Sequence, residues 1–485
     1  MSDAHVQAAQ VARAWLRVAD ALLDAVESIA WDVRQRWSAA GDSAKQTARL
    51  ARAGRTLATI AASYRLQSTK AAFLTEAGAI RSMQKTHARN AKRFVKLAEK
   101  LGGGFIKVGQ IASARPDLLP KAWIDETTRL QDSAPPVDSD AVLALIAEDL
   151  GASVDARFAE FEEEPIAAAS IGQVHRATTH DGREVAVKVR RPGIEELIET
   201  DLALLRPFLE AMAPSLPPMD LDTIADQLEA TIREELDYGR ERDRMERVHD
   251  FLGGVDGIRA PKPVDELCGP RVLTSTFEPG IKITTRLDEW RAILEDEDAT
   301  DEAREEARML RDRTLCRLLD GYLQQVLGAG LFQADPHPGN ILVDDDGTLV
   351  LLDFGCAQEL SDERRDAYKR LMRALFVNDD ETAARELEAL GFRTKSGDPA
   401  SLRLFADALL GDLRSAMEGG DWTDPNLIVE QIEELLGATE DDPVEQIPAD
   451  FVLLARVFGT LGGLFLHHRP DTSSHAPKWM AAFLA

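Results

Sequence analysis

An acid, an amide five residues on and a second acid thirteen beyond that constrain this chain more than any other feature. They are Asp335, Asn340 and Asp353, set in Gln333-Ala334-Asp335-Pro336-His337-Pro338-Gly339-Asn340 and Leu352-Asp353-Phe354-Gly355. A hard divalent ion such as Mg2+ takes oxygen ligands, so Asn and Asp suit it where His and Cys would not. The stretch from Asn340 to Leu352 reads apolar run, Asp-Asp-Asp-Gly, apolar run. That pattern predicts a β-hairpin turning at Asp346-Gly347, which returns Asn340 and Asp353 to one end of a sheet.

Upstream, Glu184-Val185-Ala186-Val187-Lys188 places a lysine inside an apolar strand. An unpaired buried charge is costly, so this ammonium needs a partner. The segment Arg233 to Glu241 offers several acids, of which Glu235 is the expected one. The preceding strands are joined by Ala167-Ala168-Ala169-Ser170-Ile171-Gly172-Gln173-Val174. Backbone N–H groups of such a loop can cradle phosphate, and alanine makes it stiffer than glycine would. A strand lysine, an Asp-x4-Asn loop and Asp-Phe-Gly, in this order, are the layout of a kinase nucleotide site. Lys188 then serves phosphate, Asn340 and Asp353 serve metal, and Asp335 the nucleophile. His337, between two prolines, is read as a brace for the loop rather than a base. His467-His468 are read as an exposed helix end rather than a metal site.

The rest of the chain supplies the frame. Residues 1 to about 80 are Ala-rich with apolar residues at helical intervals, as in Val11, Trp15, Val18, Leu22 and Val26, which predicts amphipathic helices. A helix from His87 to Leu101 ends at Gly102-Gly103-Gly104. Ser133-Ala134-Pro135-Pro136 is a break, and Asp140 to Leu150 is helical. After Gly151 the period changes to 2, predicting strands at Phe158 to Pro165, Val174 to Thr178 and Glu184 to Val189. Leu221 to Leu252 reads as one long helical stretch, and Arg271 to Phe277 as a strand. Residues 295 to 308 read as a solvated helix or linker, Leu310 to Gly328 as a helix, and the chain is helical from about Ser361 onward. Trp290 and Trp422 are expected to pack locally.

Charge divides the chain. Met1 to Arg115 holds 19 Lys/Arg against 8 Asp/Glu, a net +11, and the remainder holds 38 against 76, a net −38. The basic region can pack on the acidic body or dock on an anionic membrane surface; the first is the favoured reading. An acidic body repels phosphate backbones, so nucleic acid is not an expected partner. Cys268, Cys316 and Cys356 show no disulfide or zinc spacing, which fits a reducing compartment. No signal peptide is recognisable. No stretch of about 18 residues lacks a charge, the length that spans a bilayer. Phe451 to Leu466 comes closest, is interrupted by Arg456, and has the periodicity of a buried helix.

These motifs together resemble the UbiB family of atypical kinases, also called aarF-domain kinases. The marks are Lys107-x-Gly-Gln110, Ser170-Ile-Gly-Gln-Val-His175, Val185-Ala-Val-Lys188, Glu235-x-Asp237, Ala334-Asp-Pro-His-Pro-Gly-Asn340 and Asp353-Phe-Gly355, in family order over roughly residues 90 to 380. The resemblance implies an α+β, bilobal protein-kinase-like fold with a helical N-terminal extension and an all-α C-terminal region. The expected divisions are 1–85 helical, 86–150 the extension over the active site, 151–280 the N-lobe and 281–485 the C-lobe. It implies that Lys107 and Gln110 cap the nucleotide site and interact with Glu235 or Asp237. Ala167, Ala168, Ala169, Ser170, Lys188 and Phe277 then bind ATP, with Mg2+ on Asn340 and Asp353. Transmembrane tails of some bacterial relatives are not evident. The hinge reads Leu273-Thr274-Ser275-Thr276-Phe277-Glu278, where relatives often carry Met-Glu before the aromatic.

No Ala-Pro-Glu and no long activation segment follows Gly355, so the platform that docks a protein substrate is absent. The expectation is therefore a Mg2+-dependent ATP-binding kinase or ATPase that hydrolyses ATP or phosphorylates a small molecule. The resemblance implies support of isoprenoid-quinone or lipid metabolism, a lipid or quinone-precursor ligand, and homodimers as in some members. The implied location is cytoplasmic, or peripheral at the inner face of the cell membrane. The alternative is a nucleotide-gated pseudokinase-like regulatory module, and a protein kinase acting in trans ranks last.

Overall fold

The computed structural model describes residues 43–71, 74–113, 119–130, 137–212, 221–377, 379–394, 396, 402 and 444–484. The expectations for residues 1–42, for the 133–136 break and for Trp422 lie outside them. The described chain forms two compact units. The first holds the residues up to Gly182 with Val187–Asp237 and Gly269–Val272; the second holds Arg183–Ala186, Tyr238–Cys268 and the residues from Leu273 onward.

In the first unit, helices Ser43–Ala71 and Glu76–Leu101 form a hairpin. Leu50, Leu57, Ile60 and Tyr64 of one pack with Phe94 and Leu97 of the other and with Trp123. Buried hydrogen bonds fix their register: Tyr64 Oη lies 2.8 Å from His87 Nδ1, and Trp123 donates to the same oxygen at 2.7 Å. Burial pushes the Tyr64 hydroxyl up to about 12. Helix Gly104–Ser113 follows, then Lys121–Thr127 and Ser139–Leu150. A second core joins Ile171 to Ile198, Leu202, Leu228 and Ile232 of helices Ile194–Met212 and Leu221–Glu234.

Strands β1 (Glu160–Phe161), β2 (Ala167–Ala168), β3 (Gly172–Thr178), β4 (Glu184–Arg190) and β6 (Val272–Thr276) form a sheet of order β1-β3-β4-β6, with β2 also on β3. The alanine segment is thus itself a strand. Ala167 pairs with Val174, and the turn closes where Ala169 N donates to Gly172 O at 2.8 Å.

The expected helix from Leu221 to Leu252 is two helices, Leu221–Glu234 and Tyr238–Leu252. The break falls on Glu235-Leu236-Asp237 and has no Gly or Pro to announce it. Arg190 donates from its guanidinium to Leu236 O, capturing a carbonyl that a continuous helix would use.

The second unit surrounds one large core that includes Tyr322, Phe332, Phe354, Leu387, Phe392, Val457 and Leu461. Its sheet has the order β5 (Ile258–Arg259), β10 (Leu349–Leu351), β9 (Ile341–Val343), β7 (Ile281–Lys282). Helix Asp301–Leu323 starts at a Thr300 cap, about ten residues before the expected apolar helix, and ends in a π-turn over Gln324–Ala329. The described residues of the C-terminal region are helical as expected, apart from a two-stranded ladder of β12 (Arg393–Thr394) and β13 (Val444–Gln446).

Among the described residues, helix Ala449–His468 is long and apolar enough to cross a membrane by length and composition alone, a test that a buried core helix also passes. Its stripe Leu454, Val457, Leu461 and Phe465 recurs at i+3 and i+4 and lies in the core of the second unit.

Candidate functional site

The hairpin forms as its sequence dictates. β9 and β10 pair antiparallel with Leu351 opposite Ile341, and Leu352 N donates to Asn340 O at 2.8 Å. Asp344 closes the turn by accepting from the N–H groups of Asp346 and Thr348 at 3.0 and 2.8 Å. Gly347 supplies the positive φ of 76° that this turn requires. Asn340 and Asp353 therefore stand at the same end of the hairpin.

Asp353 has φ 62°, one of two described non-glycine residues with positive φ. Such a conformation persists only where its surroundings over-determine it. Here they do. Phe354 is fully buried. Gln333, also fully buried, donates from Nε2 to the carbonyls of Leu352 and Asp353 at 2.5 and 3.0 Å. Gln333 is itself held by Gln325, which accepts from its N–H at 3.1 Å, and by the Tyr322 hydroxyl. The exposed Asp353 carboxylate accepts from Gly355 N at 3.0 Å. A side chain at Gly355 would meet that carboxylate at 3.3 Å and Glu241 Oε2 at 3.9 Å. Arg244 donates to Gly355 O at 2.7 Å.

Asp335 is half-buried, and its Oδ1 accepts from Arg456 Nη2 at 2.6 Å. His337 Nδ1 accepts from Gly339 N at 3.1 Å, so it caps the short 3-10 turn that presents Asn340. After Gly355 the chain goes at once into a strand and a helix of the same unit. Strand β11 (Gln358–Glu359) pairs with β8 (Leu331–Phe332), and Ser361 caps helix Asp362–Phe376.

In the first unit, Lys107 Nζ lies 2.8 Å from Glu235 Oε2, each side chain only 11% exposed. The buried pair joins helix Gly104–Ser113 to the break after Leu221–Glu234. Gln110 donates to Leu130 O at 3.3 Å. Gly109 stands between them because a Cβ there would lie 2.3 Å from Leu130 Cδ1 and 3.2 Å from Phe94. The start of this helix is fixed by Asp201, which accepts from Gly104 N at 3.0 Å and pairs with Arg49 at 2.6 Å.

Lys188 is half-buried on β4, flanked by fully buried Val187 and Val189. Ser170 is buried, and Arg191 donates to Ala169 O at 3.0 Å, bracing the turn. Gln173 and His175 are also structural. His175 Nδ1 faces Glu162 O at 2.8 Å and must donate to it, so Nε2 accepts from Gln173 at 2.8 Å. The neutral imidazole is thereby required, and burial holds its pKa below the usual value. Phe277 N donates to Glu184 O at 3.0 Å, so its backbone N–H is taken up by β4.

Asn340 and Asp353 offer oxygen donors of the kind Mg2+ selects. Among the described residues no three His, Cys, Asp or Glu side chains gather as a metal cage. Two protein oxygens completed by phosphate oxygens need no such cage, so the donor set fits a nucleotide-bound ion.

Sequence reasoning missed four residues at these places. Gln333 stands directly before Ala334 and Asp335 and has no role of its own in the motif. Glu241, 3% exposed, closes the acid-rich segment Arg233 to Glu241. Arg244 had no signal. Arg456 had one, since a lone charge in an apolar helix must find a partner.

A family model described as the ABC1 atypical kinase-like domain matches residues 129–387. The Arabidopsis thaliana chloroplastic protein ACTIVITY OF BC1 COMPLEX KINASE 7 is 32% identical over 367 residues, covering 75% of this chain and 50% of that protein. An uncharacterized protein of Synechocystis is 32% identical over 341 residues, covering 69% of this chain and 57% of its own length. The chain thus spans about half the length of the curated relatives it matches. A solved structure of Mycobacterium tuberculosis Rv3197 with erythromycin shares the fold, with a TM-score of 0.53 at 23% identity, over 78% of this chain and 92% of that one. The fold is accordingly α+β and kinase-like, with helical N-terminal and C-terminal regions. With its matched domain spanning more than half its length, the chain belongs to the UbiB/ABC1 family of atypical kinases.

Proposed function

We propose that this chain is a Mg2+-dependent ATPase or small-molecule kinase of the UbiB type, serving isoprenoid-quinone or lipid metabolism at a membrane. The observation that carries the reading is the hairpin end, where Asn340 and Asp353 stand together and Gln333 holds Asp353 at φ 62°. Asn340 and Asp353 would hold the ion, which when bound neutralises phosphate charge. Lys188 and the Ala167–Ser170 segment belong to phosphate, and Asp335 to the nucleophile. The immediate return of the chain after Gly355 onto β8 supports a small acceptor or water over a protein substrate.

Membrane contact is supported by the hairpin of the first unit. Leu66, Leu74 and Ile80 are exposed around its turn, with Lys70, Arg81 and Lys85 beside them. Apolar tips flanked by cations suit an anionic lipid surface.

A nucleotide-gated regulatory module is favoured by one observation, the closed Lys107–Glu235 pair, which occupies the acid that kinase chemistry would use. The test is phosphate release from Mg-ATP, with quinone-headgroup analogues and liposomes present. Turnover abolished by Asp353→Asn supports the enzyme. Tight nucleotide binding without release selects the regulatory module.

A further inference from the structure

Asp335 is expected to orient a nucleophile, yet its carboxylate is held by an arginine from 121 residues away. Arg456 Nη2 donates to Oδ1 at 2.6 Å, and the two side chains are 31% and 29% exposed, so the pair faces solvent on one side. Among the described residues no other hydrogen bond reaches Asp335. Its Oδ2 accepts no hydrogen bond from a described residue.

The arginine is placed rigidly. It rides on helix Ala449–His468, whose Val457 and Leu461 are fully buried. Six residues before it, Asp450 anchors the same helix to Asp362–Phe376. Arg364 donates to both carboxylate oxygens at 2.6 and 2.5 Å, and the Tyr368 hydroxyl adds a bond at 2.9 Å. Asp450 and Arg456 are the only Asp, Glu, Lys or Arg in the helix, and both are spent on fixing it.

The loop from Asp335 to Asn340 reads Asp-Pro-His-Pro-Gly-Asn and contains no Lys or Arg. Phosphoryl transfer spreads negative charge over the equatorial oxygens, and sites for it place a cation there. A guanidinium carries five N–H donors in a planar fork that matches phosphate. One donor of Arg456 serves Asp335, which leaves the rest of the fork at the solvent side of the same carboxylate.

We propose that Arg456 is the cation of the transfer step, fixing Asp335 through Oδ1 and meeting the transferred phosphoryl group with its remaining N–H groups. The inference rests on the ATP-consuming reading above. In the step, water or a hydroxyl gives its proton to Asp335 Oδ2 as the water or hydroxyl oxygen bonds to the γ-phosphorus. The bond from phosphorus to the bridging oxygen breaks, and ADP leaves with its electron pair. Arg456 stays protonated throughout.

Steady-state Mg-ATP hydrolysis by the full chain tests this with Arg456→Gln, Arg456→Lys and Asp353→Asn, alongside thermal unfolding. Arg456→Gln should lower kcat about 100-fold and shift KM for ATP less than about 3-fold, since ground-state binding does not depend on it. Arg456→Lys should recover part of the loss, and millimolar guanidinium should partly rescue Arg456→Gln. Turnover unchanged in Arg456→Gln while Asp353→Asn is inactive overturns the inference alone. So does a loss that neither lysine nor guanidinium restores and that follows a lowered melting temperature. Absence of turnover above the Asp353→Asn level in the unaltered chain overturns the ATP-consuming reading, and the inference with it.

Discussion

At the scale of single residues, Lys107 and Glu235 form a buried pair of the first unit on which its stability depends. Breaking a buried pair by removing one member costs about 3–5 kcal/mol, whereas replacing both by apolar groups of similar volume is close to neutral. Lys107→Met should therefore destabilise the chain by that amount in chemical denaturation, and adding Glu235→Leu should restore most of it. Additive losses would show that the 2.8 Å contact carries little coupling. His175 makes a second, pH-dependent prediction. Burial lowers its pKa, as it does for His87, and takes His468 down to about 4. The unfolded chain binds these protons more tightly than the native chain does. The stability that depends on neutral imidazole is thus complete above about pH 6.5 and is lost as pH falls toward the native values. Melting temperature should drop between pH 7.5 and 5, and His175→Gln should flatten that drop. A melting temperature that rises on acidification would contradict the neutral assignment.

Among the elements, helix Gly104–Ser113 shows how tightly the extension is built. Gly109→Ala would force a Cβ to 2.3 Å from Leu130 Cδ1, an overpacking that costs about 1–3 kcal/mol, and adding Leu130→Ala should relieve part of that strain. No relief in the double variant, read by thermal unfolding, would mean that the contact is not what requires glycine. The hairpin from Asn340 to Leu352 was legible because alternating apolar runs and Asp-Gly are local signals. The return of the chain after Gly355 was legible for the same reason, since Ser361 and the acids after it announce a helix. The break at Glu235–Asp237 was not, because its cause is Arg190, some 46 residues away in sequence. The strand at Ala167–Ala168 was equally hidden, since alanine has no β preference and only pairing with β3 makes it one. The reach of Arg456 to Asp335 is a tertiary fact with a sequence hint: the charge was visible and its partner was not.

For the whole molecule, the basic N-terminal part and the acidic remainder set how the chain meets its surroundings. Leu66, Leu74 and Ile80 should carry any docking on lipid. Replacing all three with serine should reduce co-sedimentation with anionic vesicles by about tenfold or more, as three apolar side chains lose their lipid contact. Undiminished binding would move the docking surface elsewhere. The family is established, and with it the kinase-like fold; what the fold does depends on whether Asn340 and Asp353 hold a nucleotide-bound ion. Titration of the full chain with ATP, with Mg2+ and with EDTA, measures this most directly. Binding should strengthen with Mg2+ in the unaltered chain and lose that strengthening in Asp353→Asn. Equal affinity with and without Mg2+, unchanged by Asp353→Asn, would contradict this.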